Sequence, residues 1–241
     1  MWLFKLKDYF FHIMHGQQDF KDWYKALFKG LGCKENFKFG FTLAEVLITL
    51  GIIGVVAAMT LPTIKQKLDE RSNISMLKKF YSEFANATNL LIYDYGEPAV
   101  WGLRDNDADS SQAVIDLYKK QLNMMKVCGE GDSSCFSFPV YKYNGTTRIT
   151  ESQYNSWALK SFVLNNGVTV FFDVNDGYFS VFFDVNGNKK PNRLGVDVFA
   201  WAVNGKGKIV RYTDPSINGG NDEPEYNYAF EIMENSWTKK Y

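Results

Sequence analysis

Residues 40–62 read GFTLAEVLITLGIIGVVAAMTLP, an apolar run that holds one charged residue, Glu45, near its start. As an α-helix, the 21 residues from Phe41 to Leu61 are about 31 Å long, which matches a hydrocarbon core of roughly 30 Å. A carboxylate in such a helix costs about 2.5–3.5 kcal/mol at the bilayer centre on insertion scales. The run therefore predicts a membrane-spanning helix whose acid has a cationic partner in or near the membrane.

Gly40, followed by Phe41, the acid Glu45 and the apolar run, resembles the prepilin-type cleavage and methylation signal of type IV pilins and type II secretion pseudopilins. The resemblance implies that a prepilin peptidase cuts the chain between Gly40 and Phe41 on the cytoplasmic side and N-methylates Phe41. It also implies that Glu45 and Thr42 act in assembly, with Glu45 paired to the positive N-terminus of a neighbouring subunit. A buried pair of this kind fixes register more than it stabilises. The alternative is a signal anchor whose acid has no role.

The same resemblance divides the chain into four parts and implies its partners. Residues 1–40 are expected to be a cytoplasmic leader that is removed, 41–61 the transmembrane and filament-core helix, 62–95 its amphipathic continuation, and 96–241 an exported head. The expected partners are the prepilin peptidase, other pilin or pseudopilin subunits, an inner-membrane assembly platform and membrane lipid. The expected location is the bacterial inner membrane, crossed once with the head outside the cytoplasm, and then a periplasmic or cell-surface filament.

Charge is unevenly distributed, although the chain balances 27 basic residues against 27 acidic ones. Residues 1–40 hold seven lysines and four acids, a net charge of +3, so the remaining residues carry −3. Without a broad basic surface, the mature part is not expected to bind nucleic acid. Lysines lie on both sides of the apolar run, so the positive-inside rule does not orient the helix.

Periodicity beyond the apolar run predicts an α+β chain with a long N-terminal helix and an antiparallel sheet, and the resemblance implies that the two pack together in a pilin-like fold. This helix is predicted from about residue 41 to 94. Its apolar stripe has three- and four-residue spacing and comprises Leu77, Phe80, Tyr81, Phe84, Thr88, Leu91 and Tyr95. A second helix is predicted to begin at Asp109 or Ser110. One of its faces comprises Val114, Leu117, Tyr118, Leu122 and Met125.

Beyond Ser156 the pattern changes to strands separated by turn residues. Five strands are predicted, at 157–164, 168–174, 178–185, 196–203 and 208–212. Residues 228–237 are predicted to form a short helix or strand. Adjacent phenylalanines place rings on both faces of the sheet. The second helix and the long loops are expected to cover the face that lies away from the long helix. The alternative is that this face meets a neighbouring subunit or a partner.

Three cysteines are reduced to two by the predicted cleavage, because Cys33 lies in the leader. Cys128 and Cys135 remain in an exported domain, where two cysteines seven residues apart are expected to form a disulfide. Such a loop adds about 2–3 kcal/mol on the chain-entropy estimate. A zinc site would need two further ligands, and the mature chain has no histidine.

Oxygen-bearing side chains alternate with other residues in the segment DVNGNKKPNRLGVD, residues 184–197. Asp184, Asn186, Asn188 and Asp197 form the kind of ligand set that calcium requires, although the order is not that of an EF-hand. The resemblance to pseudopilins, some of which bind calcium in a loop of the sheet region, favours this interpretation. The alternative is a turn-rich connection in which asparagine and glycine supply unusual backbone angles.

The predicted mature chain contains few of the residue combinations that catalytic sites use. The two histidines, His12 and His15, both lie in the leader, which excludes Ser-His-Asp and Cys-His arrangements from the mature domain. Asp173, Asp176 and Asp184 are expected to be solvated acids in the turns of a hairpin. Together with the resemblance to pilins and pseudopilins, which implies a structural filament subunit, this leads to the expectation that the chain is not an enzyme. The alternatives are a minor or tip subunit whose head binds DNA, a surface or a secretion substrate, and a signal-anchored exported enzyme.

Overall fold

The computed structural model describes residues 43–105, 107–129, 132–156, 159–217 and 224–239. The chain forms two compact units, Met1–Ala58 and Met59–Tyr241. Helix α1 extends over Leu43–Tyr95, continues through Pro62 and contributes to both units. By length and composition, α1 is the one helix within the described ranges that is long and apolar enough to cross a membrane.

The outer part of α1 carries the predicted apolar stripe. Leu77, Phe80, Phe84 and Leu91 are fully buried, at the three- and four-residue spacing that keeps one helix face toward a core. Tyr95 does not extend this stripe, because it is 44% exposed. Its ring lies under the Lys120 ammonium, 4.4 Å from ring centroid to Nζ, and its hydroxyl accepts a 2.9 Å hydrogen bond from that group.

The helix ends where the sequence predicts it. Gly96 has φ +79°, and its N–H donates to the Ile92 carbonyl oxygen over 2.9 Å. Only glycine adopts this left-handed conformation without cost, so the chain reverses here. Pro98 then begins a short 3₁₀ turn, Pro98–Val100, and a second helix, α2, follows at Ala108–Lys119.

The second unit holds a six-stranded antiparallel sheet with strand order β1-β4-β5-β6-β7-β8. Its strands are β1 Met124–Cys128, β4 Lys160–Leu164, β5 Thr169–Asn175, β6 Tyr178–Asp184, β7 Val198–Val203 and β8 Ile209–Val210. A two-stranded hairpin lies outside this sheet and comprises β2 Val140–Tyr141 and β3 Thr147–Ile149. Two short helices complete the unit, α3 Glu151–Ser156 and α4 Tyr228–Glu234. The predicted α+β, pilin-like class is confirmed.

The second predicted helix is too long by one turn. It ends at Lys119, and Met125 belongs to β1, where it is 66% exposed. The apolar spacing of Leu122 and Met125 suits a helix, but pairing of residues 124–128 with β4 takes precedence over this local pattern. The first predicted strand also begins later than expected, at Lys160.

The face of the sheet toward α1 forms the larger core. Trp201 lies at its centre, with ring centroids 4.2 Å from Phe183, 5.4 Å from Phe80 and 5.5 Å from Phe84. Tyr118 of α2 stacks on Phe84 at 4.8 Å. Helix α2 therefore covers the same face as α1, contrary to the expectation that it covers the opposite one.

Loops and short elements cover the opposite face. Phe171 and Phe182 stack there at 4.8 Å, and both rings are nearly or completely buried. Phe136 and Tyr154 lie edge-on to Phe171, and Tyr226 lies edge-on to Phe182. The part of the expectation that assigned this face to long loops is confirmed.

Candidate functional site

The apolar segment of α1 is the first candidate site. Gly40, Phe41 and Thr42 lie outside the described residues, and Glu45 lies in the first turn of α1. The large apolar side chains that follow are exposed around the helix: Val46, Leu47, Ile48, Leu50, Ile52, Ile53, Val55 and Val56. A helix that is apolar on all sides is stable when lipid or other helices surround it. This segment therefore needs an apolar environment that the described residues do not provide.

The hydroxyl of Thr49, within this segment, has a local hydrogen-bond partner. The Thr49 hydroxyl donates to the Val46 carbonyl oxygen over 3.0 Å, so it presents no unpaired donor to an apolar environment. Beyond the apolar run, Leu61, Ile64 and Leu68 remain exposed at three- and four-residue spacing. Lysines at 65 and 67 and an acid at 69 separate them, so the helix becomes amphipathic as the run ends.

Residues 36–61 match the family model described as the prokaryotic N-terminal methylation motif. The chain carries the type IV pilin and pseudopilin signal. This signal implies processing by a prepilin peptidase and assembly with other subunits of pilin type, and it points to a structural subunit rather than an enzyme. No curated protein and no solved structure matches the chain. The assignment of the chain to pilin-type subunits therefore rests on this signal. What can be said of residues 62–241 rests on the structure of those residues.

The connection between β6 and β7 is the second candidate site, because it brings together three of the four predicted calcium ligands. Asp184 ends β6 and Asp197 precedes β7, and both are completely buried. Asp197 Oδ2 accepts hydrogen bonds from Asn186 Nδ2 and from the Asn192 backbone N–H, each over 3.0 Å. Its Oδ1 accepts from the Arg193 backbone N–H over 2.6 Å. The buried Asp197 carboxylate thus holds the β6–β7 loop in place through three hydrogen bonds.

Three buried oxygens in this loop have no hydrogen-bond partner among the described residues: Asp184 Oδ2, Asn186 Oδ1 and Asn192 Oδ1. The other Asp184 oxygen accepts from the Asn186 backbone N–H over 2.9 Å. Burial, together with the nearby Asp197 carboxylate, raises the pKa of Asp184 to about 7. A buried acid with an unpaired oxygen, beside a second buried acid, is an arrangement that a bound cation would stabilise.

Asn188 does not join this cluster. It is exposed, with φ +34°, and no hydrogen bond connects it to the two acids. Asn192 takes its place near Asp197, with φ +52° and a side-chain amide that donates to Ser137 Oγ over 2.8 Å. Asn192 contacts Asp197 through its backbone N–H, and the sequence gives no signal for such a contact because every residue except proline has this group. Within the described ranges, no group of three or more His, Cys, Asp or Glu side chains is placed to hold a metal.

The alternative role of the loop as a turn-rich connection also has structural support. Gly187 has φ +60°, and a side chain there would collide with the Gly167 carbonyl oxygen of the neighbouring hairpin turn. Glycine is therefore required at this close approach. Backbone hydrogen bonds to Asp197 already hold the conformation of the loop. A bound cation would stabilise this conformation further, but the loop does not depend on it.

The hairpin acids Asp173 and Asp184 do not form a catalytic pair. Asp184 is buried and Asp173 is half-buried, so the expectation that they are solvated is wrong for both, and Asp176 is exposed as predicted. In the β5–β6 register, Asp184 lies opposite Thr169 and Asp173 lies opposite Ser180. The two carboxylates are therefore four residues apart along the sheet, or roughly 13 Å, which is beyond the separation that glycoside hydrolysis uses.

A disulfide joins Cys128, the last residue of β1, to Cys135 in a short 3₁₀ turn. Both cysteines are buried, and Phe136, which follows Cys135, packs on the face of the sheet that loops cover. The bond therefore attaches the edge strand of the sheet to the segment that covers this face.

Proposed function

We propose that this chain is a structural subunit of a type IV pilus-like or type II secretion pseudopilus filament. In this proposal it is held in the bacterial inner membrane, cut between Gly40 and Phe41, and assembled through its N-terminal helix. The match of residues 36–61 to the methylation motif carries the proposal. The exposed apolar surface of α1 supports it, because lipid would surround this surface before assembly and neighbouring helices would surround it afterwards.

Processing supplies the cation that the apolar run lacks. Cleavage after Gly40 exposes the amine of Phe41, and Glu45 follows four residues later. The two groups pair between neighbouring subunits, so that each buried acid meets a buried amine. Before cleavage this amine is part of a peptide bond, so the pair forms only in the mature chain.

N-terminal mass analysis of the mature protein tests the proposed cut. We expect a chain that begins at Phe41 and carries one added methyl group on its amine. The Gly40→Val variant is the matched control, and we expect it to keep residues 1–40 because the β-branched side chain obstructs the peptide bond that is cut. A mature wild-type chain that retains the leader would contradict the proposal.

We further propose that the β6–β7 loop binds calcium through Asp184, Asn186 and Asp197. The unpaired oxygens of Asp184 and Asn186 support this proposal. At a calcium concentration one hundred times the dissociation constant, binding contributes about 2.7 kcal/mol. We therefore expect the melting temperature to rise by roughly 5–10 °C.

The calcium test compares melting curves of the full chain with calcium and with a chelator. The shift should disappear in the Asp184→Ala, Asp197→Ala double variant and in Asp184→Asn, a milder change that keeps the side-chain shape. Asp176→Asn, on the exposed turn of the same hairpin, should keep it. An unchanged melting temperature of the wild type after chelation would exclude the site.

A further inference from the structure

A basic groove borders the part of α1 that directly follows the apolar run. It has a volume of about 870 Å³ and is lined by the helix from Pro62 to Asn73 and by the β6–β7 loop. Five cationic side chains line it, together with two acidic ones, Asp69 and Glu70. The five cations, which define the basic groove, are Lys65, Lys189, Lys190, Arg193 and Lys239.

The loop is held against the helix by a specific contact. Asn73 is buried, and its side-chain amide donates to the Val196 carbonyl oxygen over 3.0 Å. This bond connects positions 123 residues apart in the chain. It keeps the loop that carries Lys189 and Lys190 beside the first turns of α1 beyond the apolar run.

The positive charge of the basic groove is largely uncompensated. Lys65, Lys189 and Lys190 are exposed and form no ion pair with any described residue. Burial lowers the pKa of Lys239, and the nearby Glu70 carboxylate offsets part of this effect. Arg193 Nε is buried and has no hydrogen-bond acceptor within the described ranges. A guanidinium nitrogen in this state requires an acceptor, and an anionic oxygen is the strongest one.

The position of the groove along α1 indicates the source of such an oxygen. Lys65 follows Leu61 by four residues, or about 6 Å along a helix. The polar headgroup layer of a bilayer is roughly 5–8 Å thick on each side of its hydrocarbon core. Exposed Ile64 and Leu68 flank Lys65 on the same stretch of helix, so apolar and cationic groups alternate as they do where a chain crosses a membrane surface.

We propose that the basic groove binds the phosphate of an anionic phospholipid at the outer surface of the membrane that α1 spans. The inference rests on the proposed membrane residence of the chain and adds a lipid site on the folded unit outside the membrane. Arg193 and the paired lysines hold the phosphate oxygens by charge-assisted hydrogen bonds. The bound lipid fixes how the unit Met59–Tyr241 lies on the membrane before assembly.

Native mass spectrometry of the full chain tests this site. The protein is released from neutral detergent micelles that contain equal amounts of phosphatidylcholine and phosphatidylglycerol, and the retained lipids are counted. We expect phosphatidylglycerol to be retained several-fold over phosphatidylcholine. Each cation near an anionic surface contributes about fivefold in affinity. Lys189→Glu/Lys190→Glu should therefore lower the ratio at least tenfold, and Lys189→Gln/Lys190→Gln, which is milder on folding, should lower it less.

The matched control is Lys206→Glu/Lys208→Glu, which changes the net charge equally. These exposed lysines flank Gly207, which approaches Ile92 near the opposite end of α1. Ile92 is 27 residues from Lys65, about 40 Å along a helix, so the ratio should stay unchanged. Equal retention of both lipids by the wild type, or an equal loss in both charge-reversed variants, would overturn the inference.

A further measurement separates this inference from the proposed function. If the mature chain begins at Phe41 but shows no lipid preference, the lipid site alone is wrong. If the preference is present but the leader is retained, the proposed processing is wrong. If Lys189→Glu/Lys190→Glu keeps the preference and loses only filament incorporation, the groove contacts another subunit and the lipid site is overturned.

Discussion

The Glu45→Ala variant is expected to be cleaved and inserted normally but to fail to enter filaments. In the proposed filament, the Glu45 carboxylate pairs with the amine of Phe41 in an apolar environment. Removing one partner of a buried pair leaves the other charge unpaired, which costs about 3–5 kcal/mol. Incorporation should therefore fall by a factor of about one hundred or more. The measurement is the amount of the variant in sheared or purified filaments relative to the amount in the membrane.

Asp94→Ala is the matched control for this variant. It removes an acid from the same helix, but Asp94 is exposed in the last turn of α1, far beyond the apolar run. We expect normal incorporation, because a solvated acid at a helix C-terminus contributes little stability or destabilises slightly. If Glu45→Ala enters filaments as well as Asp94→Ala does, the charge pair is not the assembly contact.

Local sequence patterns predict the elements whose periodicity extends over many residues. The stripe from Leu77 to Leu91 needs only a helix with one buried face, and it is confirmed. The strands β5, β6 and β7 are aromatic and β-branched runs between asparagine and glycine turns, so their positions are confirmed within two residues. Both signals are contained within single segments, and this is why sequence alone reveals them.

Elements that depend on distant partners were not predictable in the same way. Met124–Cys128 becomes a strand because Met124, Lys126, Val127 and Cys128 pair with β4, more than thirty residues later. The hairpin β2–β3 and helix α3 are each too short for a periodic signal. Their stability comes from packing on Phe171 and Phe182, a face of the sheet that exists only after the chain has folded.

The same distinction applies to the candidate sites. Asp184, Asn186 and Asp197 are close in sequence, so the pattern identified them. Asn192 joins them through its backbone N–H, for which its side-chain type gives no signal. The basic groove unites Lys65 with Lys189 and Lys190, which lie more than 120 residues away. Only the packing of the β6–β7 loop on α1 brings these charges together.

The Phe80→Ala variant is expected to have the largest effect on the stability of the folded unit. Phe80 is fully buried, with ring centroids 4.6 Å from Phe183, 5.4 Å from Trp201 and 5.6 Å from Phe84. Truncation leaves a cavity between α1 and the sheet, and such changes cost about 3–5 kcal/mol. This is a large part of the 5–15 kcal/mol that stabilises a typical domain. Urea unfolding of the full chain in neutral detergent, followed by tryptophan fluorescence, measures the loss.

Tyr93→Ala provides the control, because Tyr93 is an aromatic residue of the same helix that is 88% exposed. A substitution at such a site changes the free energy of unfolding by about 0.5 kcal/mol or less. Comparable small losses in both variants would mean that α1 does not share a core with the sheet.

A large loss confined to Phe80→Ala would have a consequence for assembly. Since α1 is continuous from Leu43 to Tyr95, the helix that contains residues 43–61 of the methylation motif also supplies the buried stripe of the folded unit. A chain that loses this core would then be removed by proteolysis before it reaches a filament.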